Sequence, residues 1–397
     1  MAVKVFFKKD TVSIVFGEDG NQMYFATFDY EFRLMAAYKS PNLYRRGFNN
    51  QILLGNVFSS ESFFLTKEGS KRILQNIYED AIDVFNSRSY RVDLKQQSND
   101  LVNHFIEKVE KTTFDEVILD GERFEELYKP INILPPDQYL SLYIPITEGC
   151  SYNKCSFCNL YKDRRFRIKT EGEINNFINK IVNYFGFSLL TRRGVFLGEG
   201  NALVEDAEKI IESIEIIKRE LKQSKFAHSK LDDSFAGFMD TFYTKKTHEE
   251  LKKLKERNLS KVFIGIESGS EYILNKLLMK PSNRGNLVQT LKNLKSVDIN
   301  VGITVMVGVG GRELSEEHIK ETLNLLFGFD LGENDIIYLS PIVEYPDLAY
   351  SKLMEEYNLS RLTSEEIKTQ MGMMKESLLK RFPKTKVSIY RVDRFIY

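Results

Sequence analysis

Three cysteines, Cys150, Cys155 and Cys158, are the only ones in a chain of 397 residues, and they share one short stretch, Thr147 to Cys158. A chain that gathers all its cysteines in one loop is using thiolates for a metal or a redox centre and not for a disulfide framework. Their number is informative too. Structural zinc normally takes four protein ligands, whereas three thiolates on a four-iron cluster leave one iron open to a ligand that is not protein. The four histidines, His104, His228, His248 and His318, stand at no ligand spacing from the loop. Downstream lie two segments rich in glycine and acid, Gly198-Glu199-Gly200-Asn201 and Gly265-Ile266-Glu267-Ser268-Gly269. Glycine there lets backbone approach a ligand closely.

The elements that must position these residues follow from the hydrophobic pattern. Residues 3–30 alternate apolar and polar (Val3, Val5, Phe7; Val12, Ile14, Phe16; Met23, Phe25, Thr27), which predicts antiparallel strands joined by a turn at Glu18 to Asn21. Helical spacing over 66–86 and 99–111 completes a small α+β module ending near Leu134-Pro135-Pro136-Asp137, where a pair of prolines suits a boundary. From Tyr139 strand and helix patterns alternate repeatedly, which predicts a parallel sheet with helices outside, a full or partial (β/α) barrel. The expected organisation is therefore α/β, with a module at 1–134, a barrel core at 135–346 and a helical and strand extension at 347–397. The cysteine loop follows the first barrel strand, at the C-terminal end of the sheet where such folds build their sites.

Composition narrows the partners. Basic and acidic residues balance, 56 against 56, so nothing overall favours duplex nucleic acid or an anionic membrane. No stretch approaches eighteen uninterrupted apolar residues, and Met1 to Phe7 lacks the apolar run of a signal peptide. These features lead to the expectation of a cytoplasmic protein whose substrate is a small molecule.

At these residues the sequence resembles the radical S-adenosylmethionine (radical SAM) superfamily. The family's three cysteines are spaced by three and two residues, with an aromatic residue before the last. Here the gaps are four (Ser151 to Lys154) and two (Ser156-Phe157), with Phe157 in the aromatic position. The longer first gap marks a subgroup. The segment Gly198, Glu199, Gly200, Asn201 is similar to the stretch that receives the methionyl ammonium of S-adenosylmethionine (SAM). Glu267 and Ser268 resemble its ribose and carboxylate contacts, and Thr304 to Gly311, with Val307 and Gly308, the strand against which adenine lies. Asp240, at another strand end, is a candidate for the ribose or the substrate. The resemblance covers about Tyr139 to Pro346 and finds no counterpart for the first 130 residues.

What the resemblance implies is a [4Fe-4S] cluster on Cys150, Cys155 and Cys158 whose open iron binds SAM. One electron, from a donor such as flavodoxin or ferredoxin, cleaves SAM to a 5′-deoxyadenosyl radical that takes a hydrogen atom from the substrate. With no further cysteine there is no auxiliary cluster. The Leu134-Pro-Pro-Asp lead-in, the cysteine spacing, the Tyr161 to Arg167 follow-on and the chain length resemble the bacterial queuosine-salvage lyases, which release queuine from queuosine or its 5′-phosphate. On that reading Arg45, Arg46, Arg165 and Arg167, with Glu344, are candidate substrate contacts, the arginines for a phosphate or carboxylate. A charge run such as Lys162, Arg164, Arg165, Arg167 is more often a solvated face. Two alternatives carry the same motifs in part: a radical SAM enzyme modifying a tRNA or a peptide, and a zinc-bearing interaction protein.

Overall fold

The computed structural model describes residues 3–19, 22–59, 61–94, 98–226, 230–243, 245–343, 345 and 347–397. Among these, strands β1 (Val3–Phe7), β2 (Val12–Asp19), β3 (Gln22–Phe28), β4 (Leu34–Lys39), β5 (Asn42–Arg46), β6 (Ile52–Asn56) and β7 (Ser62–Phe64) form an antiparallel meander. β8 (Tyr90–Leu94) joins it beside β1 in parallel. The alternation read from the sequence has its cause here: Val5, Phe7, Val12 and Ile14 point into one core, where helix α1 (Lys67–Ser87) covers them with Leu74, Ile77, Tyr78 and Ala81. Thr66 caps α1 by accepting from Gly69 N–H at 3.1 Å.

Helices α2 (Asn99–Lys111) and α3 (Phe114–Leu127) follow. The sequence reading assigned no element to the stretch α3 occupies, although Thr113 supplies its N-cap. The helix matters because Phe124 and the following Tyr128 belong to the core of the second sheet, not the first.

That second sheet holds seven strands among the described residues, every neighbour parallel: β9 (Leu142–Pro145), β12 (Val195–Gly198), β13 (Phe235–Phe238), β14 (Leu259–Glu267), β15 (Asn300–Val307), β16 (Ile336–Pro341) and β17 (Lys386–Ile389). Spatial order follows chain order. The crossovers are α4 (Glu171–Phe185), α5 (Ala207–Gln223), α6 (His248–Glu256), α7 (Arg284–Ser296), α8 (Ser315–Phe327), and finally α9 (Ala349–Glu356) with α10 (Ser364–Arg381). Strands buried on both faces read as continuous apolar runs, and all four residues of β9 and of β12 are buried. β9 and β17 form the two edges, so the sheet is an open, partial barrel. The last fifty residues build this barrel itself: β17 is its edge strand, and Met374 and Leu378 of α10 lie in its core. Among the described residues no helix is long and apolar enough to cross a membrane.

A buried polar network ties module to barrel. Arg33 pairs with Asp120 at 2.9 Å and donates to Ser188 Oγ at 2.9 Å and to the Tyr184 carbonyl at 2.8 Å. Asp29 accepts from the same Ser188 hydroxyl. Glu31 accepts from Phe187 N–H at 2.9 Å and meets Lys108 at 2.5 Å.

Candidate active site

Two short strands, β10 (Thr147–Glu148) and β11 (Arg167–Ile168), pair antiparallel and close the base of the cysteine loop just beyond β9. The loop is then fastened to a distant segment. Residues Ile273–Leu277 form a wide helical turn after β14, and the carbonyls at its end need partners. Ser156 Oγ donates to the Leu277 carbonyl at 2.5 Å, Ser156 N–H to Leu278 at 3.0 Å, and Tyr152 hydroxyl to Met279 at 2.6 Å. Three consecutive carbonyls are thereby satisfied by the cysteine loop, and the next residue, Lys280, is delivered to the site. On the other flank Gly200 N–H donates to the Gly149 carbonyl at 3.2 Å. Behind it Arg164 and Glu199 form a buried ion pair at 2.7 Å.

All three cysteines are free thiols, half-buried, and line one cavity of about 240 Å³. Burial pushes the Cys155 thiol up to about 12, the nearby Lys280 ammonium working against that rise, and burial raises Cys158 as well. Among the described residues no trio of His, Cys, Asp and Glu gathers tightly enough for a single metal ion. Three soft thiolates around a cavity suit a polynuclear cluster, in which each sulfur binds a different iron. The lining also carries Asp240, Glu267 and Lys280. Lys280 Nζ donates to Glu267 Oε1 at 2.8 Å and to the Gly265 carbonyl at 2.6 Å. Burial opposes the Lys280 charge, but Glu267 and then Cys155 outweigh it and hold the ammonium protonated. Asn201 and Asp240 bond reciprocally, side-chain amide to carboxylate and Asp240 N–H to Asn201 Oδ1 at 2.9 Å. Between these polar groups the walls are aromatic and thioether: Phe157, Met239, Phe242, Phe263, Met306.

Of the residues the sequence singled out, Cys150, Cys155, Phe157, Cys158, Gly200, Asn201, Asp240 and Glu267 come together on this cavity. Others do not. Gly198 sits against the Tyr143 ring, where a Cβ would stand 2.3 Å away, and the Glu199 carboxylate is taken by Arg164 and Gly149 N–H. Ser268 is fully buried and bonds His318 Nδ1 at 2.9 Å. On β15 the strand period decides: Thr304 and Met306 face the cavity, so Val307 faces the helices, and Gly308 N–H donates to Gln370 Oε1 at 2.6 Å. Arg46 is buried against Asp120 and Asn50 in the inter-module network, away from the cavity lining. Arg45 lies over the Tyr139 ring, while Arg165 and Arg167 are exposed, Arg167 pairing with Glu148 and Glu173. Glu344 lies outside the described residues.

Lys280 was not found from sequence. The available signal was a lysine between the apolar run Leu277-Leu278-Met279 and Pro281, a place where a solvated lysine has little reason to be. The aromatic wall was missed as well: nothing in the sequence around Phe242 and Phe263 sets them apart from core aromatics.

Residues 144–326, which hold the cysteine loop and the polar wall, match the family model of the radical SAM superfamily. This segment is similar to that superfamily. The superfamily works with a [4Fe-4S] cluster and SAM. No curated protein matches the chain. Similar solved structures include coproporphyrinogen III oxidase (HemN) from Escherichia coli, described as a radical SAM enzyme, at 12% identity over 65% of this chain and 55% of that one, TM-score 0.45. Spore photoproduct lyase is 14% identical over 79% and 94%, TM-score 0.44. The hydrogenase maturase HydG from Carboxydothermus hydrogenoformans is 14% identical over 81% and 67%, TM-score 0.41. The chain thus spans little more than half the length of HemN.

Proposed function

We propose that this chain is a radical SAM enzyme acting on a small, flat substrate held in the cavity that the cysteine loop, Glu267 and Lys280 line. The observation that carries the reading is the convergence on one cavity of three free thiols, a carboxylate pair and an aromatic lining. Cys150, Cys155 and Cys158 hold the cluster. Asn201, Asp240 and Glu267, the last with its charge shared by Lys280, offer the acceptors and donors that an amino-acid end and a ribose need. When bound, cluster and SAM supply a 5′-deoxyadenosyl radical able to take a hydrogen atom from an unactivated C–H bond. The protein's part is to hold that C–H bond within van der Waals reach and to exclude water, which Phe157, Phe242, Phe263 and Met306 do.

The specific reading is a lyase that takes hydrogen from the ribose of queuosine or queuosine 5′-phosphate and then releases the base queuine. Its supports are the sequence resemblance around Leu134 to Asp137 and Tyr161 to Arg167, and walls suited to stack a heterocycle. Incubation of the anaerobic protein with queuosine 5′-phosphate, SAM and dithionite is expected to yield free queuine by chromatography. Queuine no higher than in the no-SAM control removes the lyase and leaves the radical SAM assignment in place.

A further inference from the structure

The basic run in the cysteine loop has no part in the cavity. Residues 150–169 carry Lys154, Lys162, Arg164, Arg165, Arg167 and Lys169 against a single acid, Asp163, in a chain whose total charge is zero. Arg164 turns inward to Glu199 and also holds Asp163 at 2.9 Å, which uses up that acid. Lys154, Lys162 and Arg165 remain exposed, and among the described residues none is recorded in an ion pair with a carboxylate. Lys162 donates to the Asn153 carbonyl at 2.6 Å, which keeps its ammonium on the outer face of the loop.

This face is a shallow depression at Cys150 and Tyr152 where Lys162, Arg164 and Arg165 stand against the one acid Asp163, which Arg164 holds. Cys150 and Tyr152 also line the inner cavity. One cysteine of the loop is therefore reached from both sides: from within, where the substrate lies, and from outside, through an open basic hollow. Electron tunnelling falls steeply with distance, so a carrier seated in the hollow stands one side chain from a cluster sulfur. A charged hollow of one sign also gathers and orients a partner of the other sign.

Resting on the cluster reading above, we propose that the outer face of the cysteine loop, with Lys162 and Arg165 in the hollow and Lys154 exposed on the same loop, is the docking surface for an acidic one-electron carrier protein that reduces the cluster beside Cys150. One electron leaves the reduced carrier and enters the cluster; no atom or proton changes hands on docking.

The test compares wild type with the double variant Lys154→Glu/Lys162→Glu, using a purified flavodoxin as the carrier. Four readouts are taken: iron content, flavodoxin binding by calorimetry at low and at physiological salt, and 5′-deoxyadenosine formed with reduced flavodoxin and with dithionite. Dithionite is a small reductant that needs no docking surface. The proposal predicts unchanged iron and unchanged dithionite-driven product, with flavodoxin affinity and flavodoxin-driven rate lowered by about tenfold or more. The wild-type rate with flavodoxin falls as salt rises, while its rate with dithionite does not. If charge reversal costs the variant its iron, this salt dependence decides alone. Equal flavodoxin binding by variant and wild type, or a salt-independent flavodoxin rate, overturns the proposal. Failure of wild type to make 5′-deoxyadenosine with dithionite would strike the cluster reading itself, a separate outcome.

Discussion

Gly200 has no room for a side chain: a Cβ there would stand 2.6 Å from the Tyr161 ring and 3.2 Å from Cys150 Cβ. The glycine is the reason the strand end after β12 and the cysteine loop can touch. Gly200→Ala must push one of them away, at an overpacking cost of roughly 1–3 kcal/mol. The expected result is a folded protein with lowered melting temperature and clearly reduced iron after anaerobic reconstitution; full iron content would show that Cys150 does not depend on this contact. His318 offers a second residue-scale prediction. Burial lowers its pKa from 6.5 to about 4, and Ser268 and the Met306 carbonyl hold the ring neutral. Below about 6.5 the unfolded chain takes up a proton that the folded chain refuses, so stability falls as pH drops towards 4. The loss from this group amounts to about 3 kcal/mol when complete. Urea melts across that window are expected to show the slope in wild type and a shallower one in His318→Gln; identical slopes would assign the acid sensitivity elsewhere.

Among the elements, the wide turn at Ile273–Leu277 does most to place the site, because its terminal carbonyls anchor the cysteine loop through Ser156 and Tyr152. Ser156→Ala leaves the buried Leu277 carbonyl without its side-chain donor, an expected cost of about 1–3 kcal/mol. The loop should then hold its metal less firmly, read as faster iron release to a chelator with the barrel's circular dichroism unchanged. Release at the wild-type rate would mean the backbone bond from Ser156 N–H suffices. These long-range ties also explain what was legible in the sequence. The barrel strands and their helices were readable because parallel strands buried on both faces leave continuous apolar runs. The three cysteines were readable because their chemistry is local. Lys280, Glu199 and Val307 were not, since each depends on which way a chain turns after a strand ends. At Glu199 a buried partner, Arg164, decided the direction; at Val307 a period of two residues did.

At the scale of the whole molecule, an antiparallel module and an open parallel barrel are joined by α3 and by the Arg33–Asp120–Ser188 network. The last strand, β17, pairs with β16 and completes the wall that carries Ser340 and Pro341 into the cavity. Every part of the architecture thus converges on one claim, that Cys150, Cys155 and Cys158 hold a cluster which reduces SAM. The measurement that meets it most directly is iron content and visible spectrum of the anaerobically reconstituted protein, followed by 5′-deoxyadenosine formation with SAM and dithionite, with Cys155→Ala alongside. The account predicts a brown protein with about four irons that makes 5′-deoxyadenosine, and a variant that makes none. A colourless protein that takes up zinc and leaves SAM intact would contradict it.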